Sequence, residues 1–228
     1  MLPHEPSGGC EADAGSYRIP TASALEQSNI TVTTVGSRTA GPTSAPAAWL
    51  AHEGHPGYRI DQLTALAPAW TALSPQLVTM LVGANDCLQG DGAALALARM
   101  AALLNATAAA LPGVKVFVAS MLDVPSTASE VLREGGRAFR SSAGAKACQL
   151  ALNAALPALI AQVGGARGDF VYVPLAENTA GVCGDDKTTW SIGDGVHPNA
   201  AGHAKVAAVF ALWMRRTLCP AWRPDVSC

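Results

Sequence analysis

The feature that most constrains this chain is an alternation of short apolar, β-branched runs with longer stretches of helical periodicity. Leu77-Val78-Thr79-Met80-Leu81-Val82 is apolar at nearly every position, the pattern of a strand covered on both faces. Val114-Lys115-Val116-Phe117-Val118 and Phe170-Val171-Tyr172-Val173 repeat it. Thr31-Val32-Thr33-Thr34-Val35, ended by Gly36, reads as an earlier strand, and residues 37–49 read as a surface loop. Helices are expected over residues 16–27, from Ile60 through Leu63 to Leu66, near residues 92–110, within 138–163, and from about Pro198 to Thr217. This order predicts an α/β fold, three α/β/α layers around a mainly parallel sheet. Polar groups beyond the C-terminal ends of such strands are where a site belongs, and Asn85 falls there.

With 228 residues, half of them hydrophobic, the chain can bury a full core as a single domain over residues 1–228. Residues 1–15 read as an irregular N-terminal segment and 218–228 as a C-terminal tail. Fifteen basic against 17 acidic residues give no basic field for nucleic acid or an anionic membrane. Small or neutral ligands are expected instead, met by a monomer. No apolar run approaches the roughly 18 residues of a membrane span, the alanine-rich stretch 93–111 being broken by Arg99 and Asn105. Met1-Leu2-Pro3-His4-Glu5-Pro6 lacks the basic head and apolar stretch of a signal peptide: either export is absent or the chain as given begins after its signal.

Six cysteines, none in a Cys-x-x-Cys pair, point away from a zinc ribbon and toward disulfides in an oxidising compartment. Cys219 with Cys228 is the first expected pair and Cys148 with Cys183 the second, the alternative being buried thiols. The sequons at Asn29 and Asn105 agree with secretion.

The chemistry centres on Asp194-Gly195-Val196-His197, followed by Pro198-Asn199. A carboxylate three residues before an imidazole, on a turn entering a helix, can fix the tautomer of a histidine acting as general base. Pro198 suits a first helical position, with Val206, Val209, Phe210, Trp213 and Thr217 on one face behind it. Upstream, His52-Glu53-Gly54-His55-Pro56-Gly57 is a glycine-rich turn opening onto a helix, which aims backbone N–H groups into a shared cavity.

These blocks, Gly57 in its turn, Gly83-Ala84-Asn85-Asp86, and Asp194 with His197, resemble in order and spacing three of the four blocks of the SGNH hydrolases, or GDSL-type esterases. The Val35-Gly36-Ser37 wording ahead of His52-Glu53-Gly54-His55-Pro56-Gly57 is most similar to the acetylxylan esterases of carbohydrate esterase family three. The resemblance implies a flavodoxin-like SGNH fold and a cofactor-free, metal-free carboxylic ester hydrolase that removes O-acetyl groups from polysaccharide through a serine acyl-enzyme. It makes His197 the general base, Asp194 its orienting acid, and Gly57 and Asn85 the oxyanion donors. The substrate would be a small ester or acetylated polysaccharide, and the protein secreted.

The fourth block is absent: no Gly-Asp-Ser occurs, and only three residues precede His4. Aligning the neighbouring residues with the family's usual continuation puts the nucleophile's place near Glu5, with Ser7, two positions away, as the candidate serine. The first strand, implied at the sheet's centre between the second and third (order 2-1-3-4-5), is truncated or missing. Either Met1 to His4 form a stub there, or the neighbouring strands close up, or the given chain starts downstream of the true beginning. The competing reading is an inactive SGNH-fold protein that binds carbohydrate. Singly, Asp194 could cap a turn, Asn85 and Asp86 end a strand, His52 and His55 be surface or turn residues, His203 pack in the last helix or lie at its surface, and Arg59 and Trp190 either line a sugar site or serve structure.

Overall fold

The computed structural model describes residues 15–134, 137–164 and 168–219. Three strands form the central sheet: β3 (Leu77–Met80), β4 (Lys115–Ala119) and β7 (Phe170–Val173), parallel throughout in the order β3-β4-β7. Two antiparallel pairs lie outside it, β1 (Arg38–Thr39) with β2 (Ala51–His52), and β5 (Ser129–Glu134) with β6 (Arg137–Ser141).

The side-chain period of two sorts the sheet onto two cores. Val78, Met80, Val116 and Val118 face one side, against Ile60 and Leu63 of α2 (Ile60–Ala65), Trp70 of α3 (Ala67–Thr71), Met100, Leu103 and Leu104 of α5 (Ala93–Ala110), and Leu156 and Ile160 of α6 (Ala143–Gly164). Phe117, Ala119 and Val173 face the other, against Leu25 of α1 (Arg18–Glu26) and Val206, Phe210 and Met214 of α8 (Ala200–Leu218). Two short helices, α4 (Ala84–Leu88) and α7 (Leu175–Asn178), leave the ends of β3 and β7. This is the three-layer α/β/α fold expected.

Several expectations change. Helices α5 and α6 are long and apolar enough by composition to cross a membrane, although Arg99 and Asn105 interrupt the first. Both pack on the sheet, with Leu103 and Leu152 fully buried, as core helices do. The last helix starts at Ala200, where the Asn199 side chain accepts the Gly202 N–H at 3.0 Å. Pro198 therefore precedes the cap and sits opposite Ser191 in an isolated bridge. Residues 129–134 and 137–141 form the β5–β6 pair, and α6, Ala143–Gly164, falls within the expected stretch but for its last residue.

The Cys148–Cys183 pairing is wrong. Cys148 on α6 is bonded to Cys87 on α4, with Cα atoms 5.5 Å apart, while the Cys183 thiol donates to the Val196 carbonyl at 3.1 Å. The reason is packing: α4 lies against α6, and the two sulfurs meet in a buried cluster with Met121 and Leu152. Cys219 is disulfide-bonded; Cys228, its expected partner, lies outside the described residues.

Residues 31–35 have no ladder partner among the described residues. They alternate exposed and half-buried as an extended chain does, yet a cavity of about 530 Å³ separates them from β3. The segments flanking the place of a first strand thus stay apart rather than closing up; Met1 to His4 lie outside the described residues. Residues 37–49 are a loop only in part, since β1 lies within them. There Gly36 runs so close to the His52 main chain that an added Cβ would stand 2.0 Å from its carbonyl, which reserves the position for glycine.

Candidate active site

Each of the polar blocks sits where the sheet delivers it. Gly83, with φ +111°, turns the chain from β3 into α4 in the left-handed region, and an added Cβ would meet Leu152 and Met121 at 2.8–3.0 Å. Two residues on, the Asn85 side-chain amide donates to the Tyr58 carbonyl at 2.8 Å. A primary amide carries two N–H donors, so one fixes the side chain and the second has no partner among the described residues.

Asp86 joins this block to the preceding turn. Its side chain is fully buried, one oxygen accepting the Ile60 backbone N–H at 3.0 Å and the other the Arg99 guanidinium at 2.8 Å. Burial raises its carboxyl above the usual range, against the pull of those two donors. Arg59, N-cap of α2, is held by Asp61 at 3.0–3.1 Å and by Gln89 at 3.0 Å, which fixes it within the turn. Gly57, with φ +69°, accepts from Gln89 through its carbonyl at 3.0 Å.

The Asp194–His197 turn is fixed mainly by backbone. Gly184 N–H donates to the Gly195 carbonyl at 2.6 Å, and Ile192 N–H to the His197 carbonyl at 3.0 Å. Gly195, with φ +76°, has the Gly184 carbonyl and the Pro125 ring within 2.4–2.6 Å of where a Cβ would stand. One Asp194 oxygen accepts the Val196 and His197 N–H groups at 2.9 Å each, and the other is hydrogen-bonded to His197 Nδ1. Burial pushes the Asp194 carboxyl up; the imidazole and the two N–H groups outweigh it and leave the group below its ordinary range. A carboxylate on Nδ1 presents Nε2 as the basic nitrogen.

A cavity of about 130 Å³ is lined by Asn85 and His197, with Tyr58, His55, Ser16 and His203 around them. The structure therefore brings Asn85 and His197 together with Asp194 behind the imidazole. Gly57 is not on the cavity wall, although its neighbour Tyr58 is. Ser7 lies outside the described residues.

Sequence reasoning missed the role of the histidine-rich turn. His55 lines the cavity, stacks on Tyr58 with ring centroids 4.9 Å apart, and meets Glu53 at 2.8 Å. Glu53 also takes the Ser37 N–H at 2.8 Å and its hydroxyl at 3.0 Å, tying the Val35-Gly36-Ser37 block to the turn; the recurring pair of wordings was the signal. His52 is buried and its Nδ1 accepts from Gly54 N–H at 3.0 Å. Burial, helped by the charges of Arg18 and Arg38, lowers its pKa to about 4. His203 is on the cavity wall rather than the surface, with its Nδ1 3.5 Å from the Ser16 hydroxyl, and burial followed by the charge of His197 lowers it to about 4. Trp190 carries Lys205 over its ring at 3.7 Å and packs into the α8 core, a structural use. Among the described residues no three His, Cys, Asp or Glu side chains converge to hold a metal ion.

The fold and this carboxylate-backed histidine opposite an amide donor define an SGNH-type hydrolase scaffold. A family model described as GDSL-like lipase/acylhydrolase matches residues 28–205, and the chain belongs to that family. Among solved structures it is similar to a family 3 carbohydrate esterase from Clostridium thermocellum (TM-score 0.70, 24% identity, 95% of this chain and 96% of that one). It is also similar to a carbohydrate esterase family 3 protein from Talaromyces cellulolyticus (0.70, 22%, 90% and 92%) and to an acetyl esterase mutant solved with an acetate ion (0.71, 22%, 92% and 94%). At these identities the likeness is one of fold. None of the curated proteins matches the chain in sequence.

Proposed function

We propose that this protein is a secreted esterase that removes O-acetyl groups from polysaccharide. The observation that carries this reading is the shared cavity of Asn85 and His197, with Asp194 on the far side of the imidazole. A volume of about 130 Å³ is well below the roughly 300–1,000 Å³ of drug-sized pockets and suits a short acyl group. The Cys87–Cys148 disulfide supports an oxidising compartment.

In this mechanism Ser7 supplies the nucleophile. As its oxygen bonds to the ester carbonyl carbon, the hydroxyl proton passes to His197 Nε2, and Asp194 stabilises the imidazolium. Charge gathering on the carbonyl oxygen is met by the second Asn85 N–H. Collapse breaks the bond to the sugar oxygen, which takes the proton from His197. Water then adds to the acetyl-serine with His197 again as base, releasing acetate and restoring the serine.

The test is acetate release from acetylated xylan, together with p-nitrophenyl esters of two to eight carbons. Acetate release, and a kcat/KM that falls steadily with chain length and is abolished by Ser7→Ala, is expected. Equal or better turnover of the eight-carbon ester would contradict the acetyl assignment, and full activity of Ser7→Ala would remove Ser7 from its role.

A further inference from the structure

The cavity that holds His197 carries a second imidazole backed by a carboxylate. His55 Nε2 meets a Glu53 oxygen at 2.8 Å, and the two side chains are only 10% and 8% exposed. Glu53 is itself fixed from behind, where its other oxygen accepts the Ser37 N–H at 2.8 Å and the shared oxygen accepts the Ser37 hydroxyl at 3.0 Å. Burial pushes the Glu53 carboxyl up; the hydrogen bonds from His55 and Ser37 outweigh it and leave the group below its ordinary range. A carboxylate can only accept, so Nε2 is the protonated nitrogen and the lone pair of the neutral ring lies on Nδ1.

That lone pair is unused. His55 Nδ1 has no hydrogen-bond partner among the described residues, and it is not one of the buried polar atoms, on a side chain that lines the cavity. Stacking on Tyr58, with ring centroids 4.9 Å apart, holds the ring in place. Of the described residues around the cavity Tyr58 alone is exposed, at 37%, which puts it and His55 at the mouth. The Tyr58 carbonyl also fixes the Asn85 amide, so this mouth adjoins the reacting carbonyl. One carboxylate-backed histidine suffices for the proton transfers of ester hydrolysis, which leaves His55 without a part in them. A sugar chain is too large for about 130 Å³; the acetyl group enters and the sugar ring stays at the mouth.

We propose that His55 selects the alcohol side of the ester: its Nδ1 accepts a hydrogen bond from a free hydroxyl on the carbon next to the acetylated one, so the substrate is a vicinal diol acetylated at one position. The inference rests on the esterase reading above and adds the hydroxyl pattern of the substrate to it. A neighbour that cannot donate leaves the lone pair unpaired and is disfavoured. Glu53 sets this preference through the tautomer. In Glu53→Gln the amide oxygen must face the Ser37 N–H, which turns the amide N–H toward Nε2 and moves the ring proton to Nδ1.

The experiment compares trans-2-hydroxycyclohexyl acetate with trans-2-fluorocyclohexyl acetate, close in size but without a proton to donate, as substrates of the full-length protein. The parent should show a kcat/KM at least about tenfold higher for the hydroxy ester. That ratio should fall at least about fivefold in Glu53→Gln and in His55→Phe, which keeps a ring on Tyr58, with both folds checked by circular dichroism. A parent ratio near one, or a ratio that survives in His55→Phe whatever happens to the rates, would overturn the proposal. Failure of the esterase reading looks different, because the parent then hydrolyses neither ester. The two esters, stable in that case, are titrated into isotope-labelled protein and followed by the His55 Nδ1 nitrogen resonance. The hydroxy ester should displace it saturably and the fluoro ester should not; no displacement, or the same displacement by both, would overturn the proposal there.

Discussion

Asp86 accepts the backbone N–H of Ile60 at 3.0 Å, so the helix that presents Asn85 and the helix that follows the glycine turn are fastened through one buried carboxylate. Removing it leaves that N–H without an acceptor, while Arg99 keeps its bond to Asp91 at 2.6 Å. Leaving a buried donor unsatisfied costs about 1–3 kcal/mol, and Asp86→Ala should lose stability on that scale in urea denaturation. Asp86→Asn, which keeps one acceptor, should lose less. Equal stability of Asp86→Ala and the parent would show that the fastening is incidental.

Asn85 is held by Tyr58 through one N–H, which leaves the other to meet negative charge developing in the cavity. Loss of one such donor costs about 2.7–4 kcal/mol of transition-state stabilisation. Asn85→Ala should therefore lower kcat toward p-nitrophenyl acetate roughly 10²–10³-fold with little change in KM. A change confined to KM would assign Asn85 to ground-state binding.

His52 and His203 are held at about 4 in the folded protein, against about 6.5 for an unfolded histidine. Between these values the unfolded chain binds more protons, so stability falls as the pH drops from about 6.5 toward 4, by up to about 1.4 kcal/mol per pH unit for each group. Thermal unfolding at pH 6.5, 5.5 and 4.5 should show a falling Tm. His52→Asn with His203→Asn should flatten the slope; an unchanged slope in the double variant would place the effect elsewhere.

The Cys87–Cys148 bond closes a loop with a sequence separation of 61. A crosslink of this kind stabilises by about 2–4 kcal/mol, chiefly by restricting the unfolded chain. Reduction in dithiothreitol, or Cys87→Ala with Cys148→Ala, should lower the urea midpoint correspondingly. An unchanged midpoint would show that packing of α4 on α6 suffices alone.

What the sequence made legible was whatever local pattern determines. The apolar runs at Leu77, Val114 and Phe170 became parallel strands because covered strands need apolar residues on both faces, and the three-residue spacing of Asp194 and His197 became a hydrogen-bonded pair. What it hid depends on distant partners. Thr31 to Val35 carry β-branched side chains, but a strand is defined by its neighbour, and the neighbouring place is a cavity. The partner of Cys148 was set by the packing of α4 on α6, which spacing does not encode. Pro198 resembled a helix start, yet Asn199, the next residue, provides the side-chain cap. Glu53 looked like a turn residue until its bonds to Ser37 and His55 gave it a structural purpose.

The central claim is that His197, backed by Asp194, acts as a general base on an ester. Steady-state hydrolysis of p-nitrophenyl acetate by the full-length protein and by His197→Ala tests it most directly. The account predicts measurable turnover by the parent and a fall in kcat of about 10³-fold or more in the variant, with the fold intact by circular dichroism. Turnover that is the same in both proteins, or absent from the parent, would contradict it.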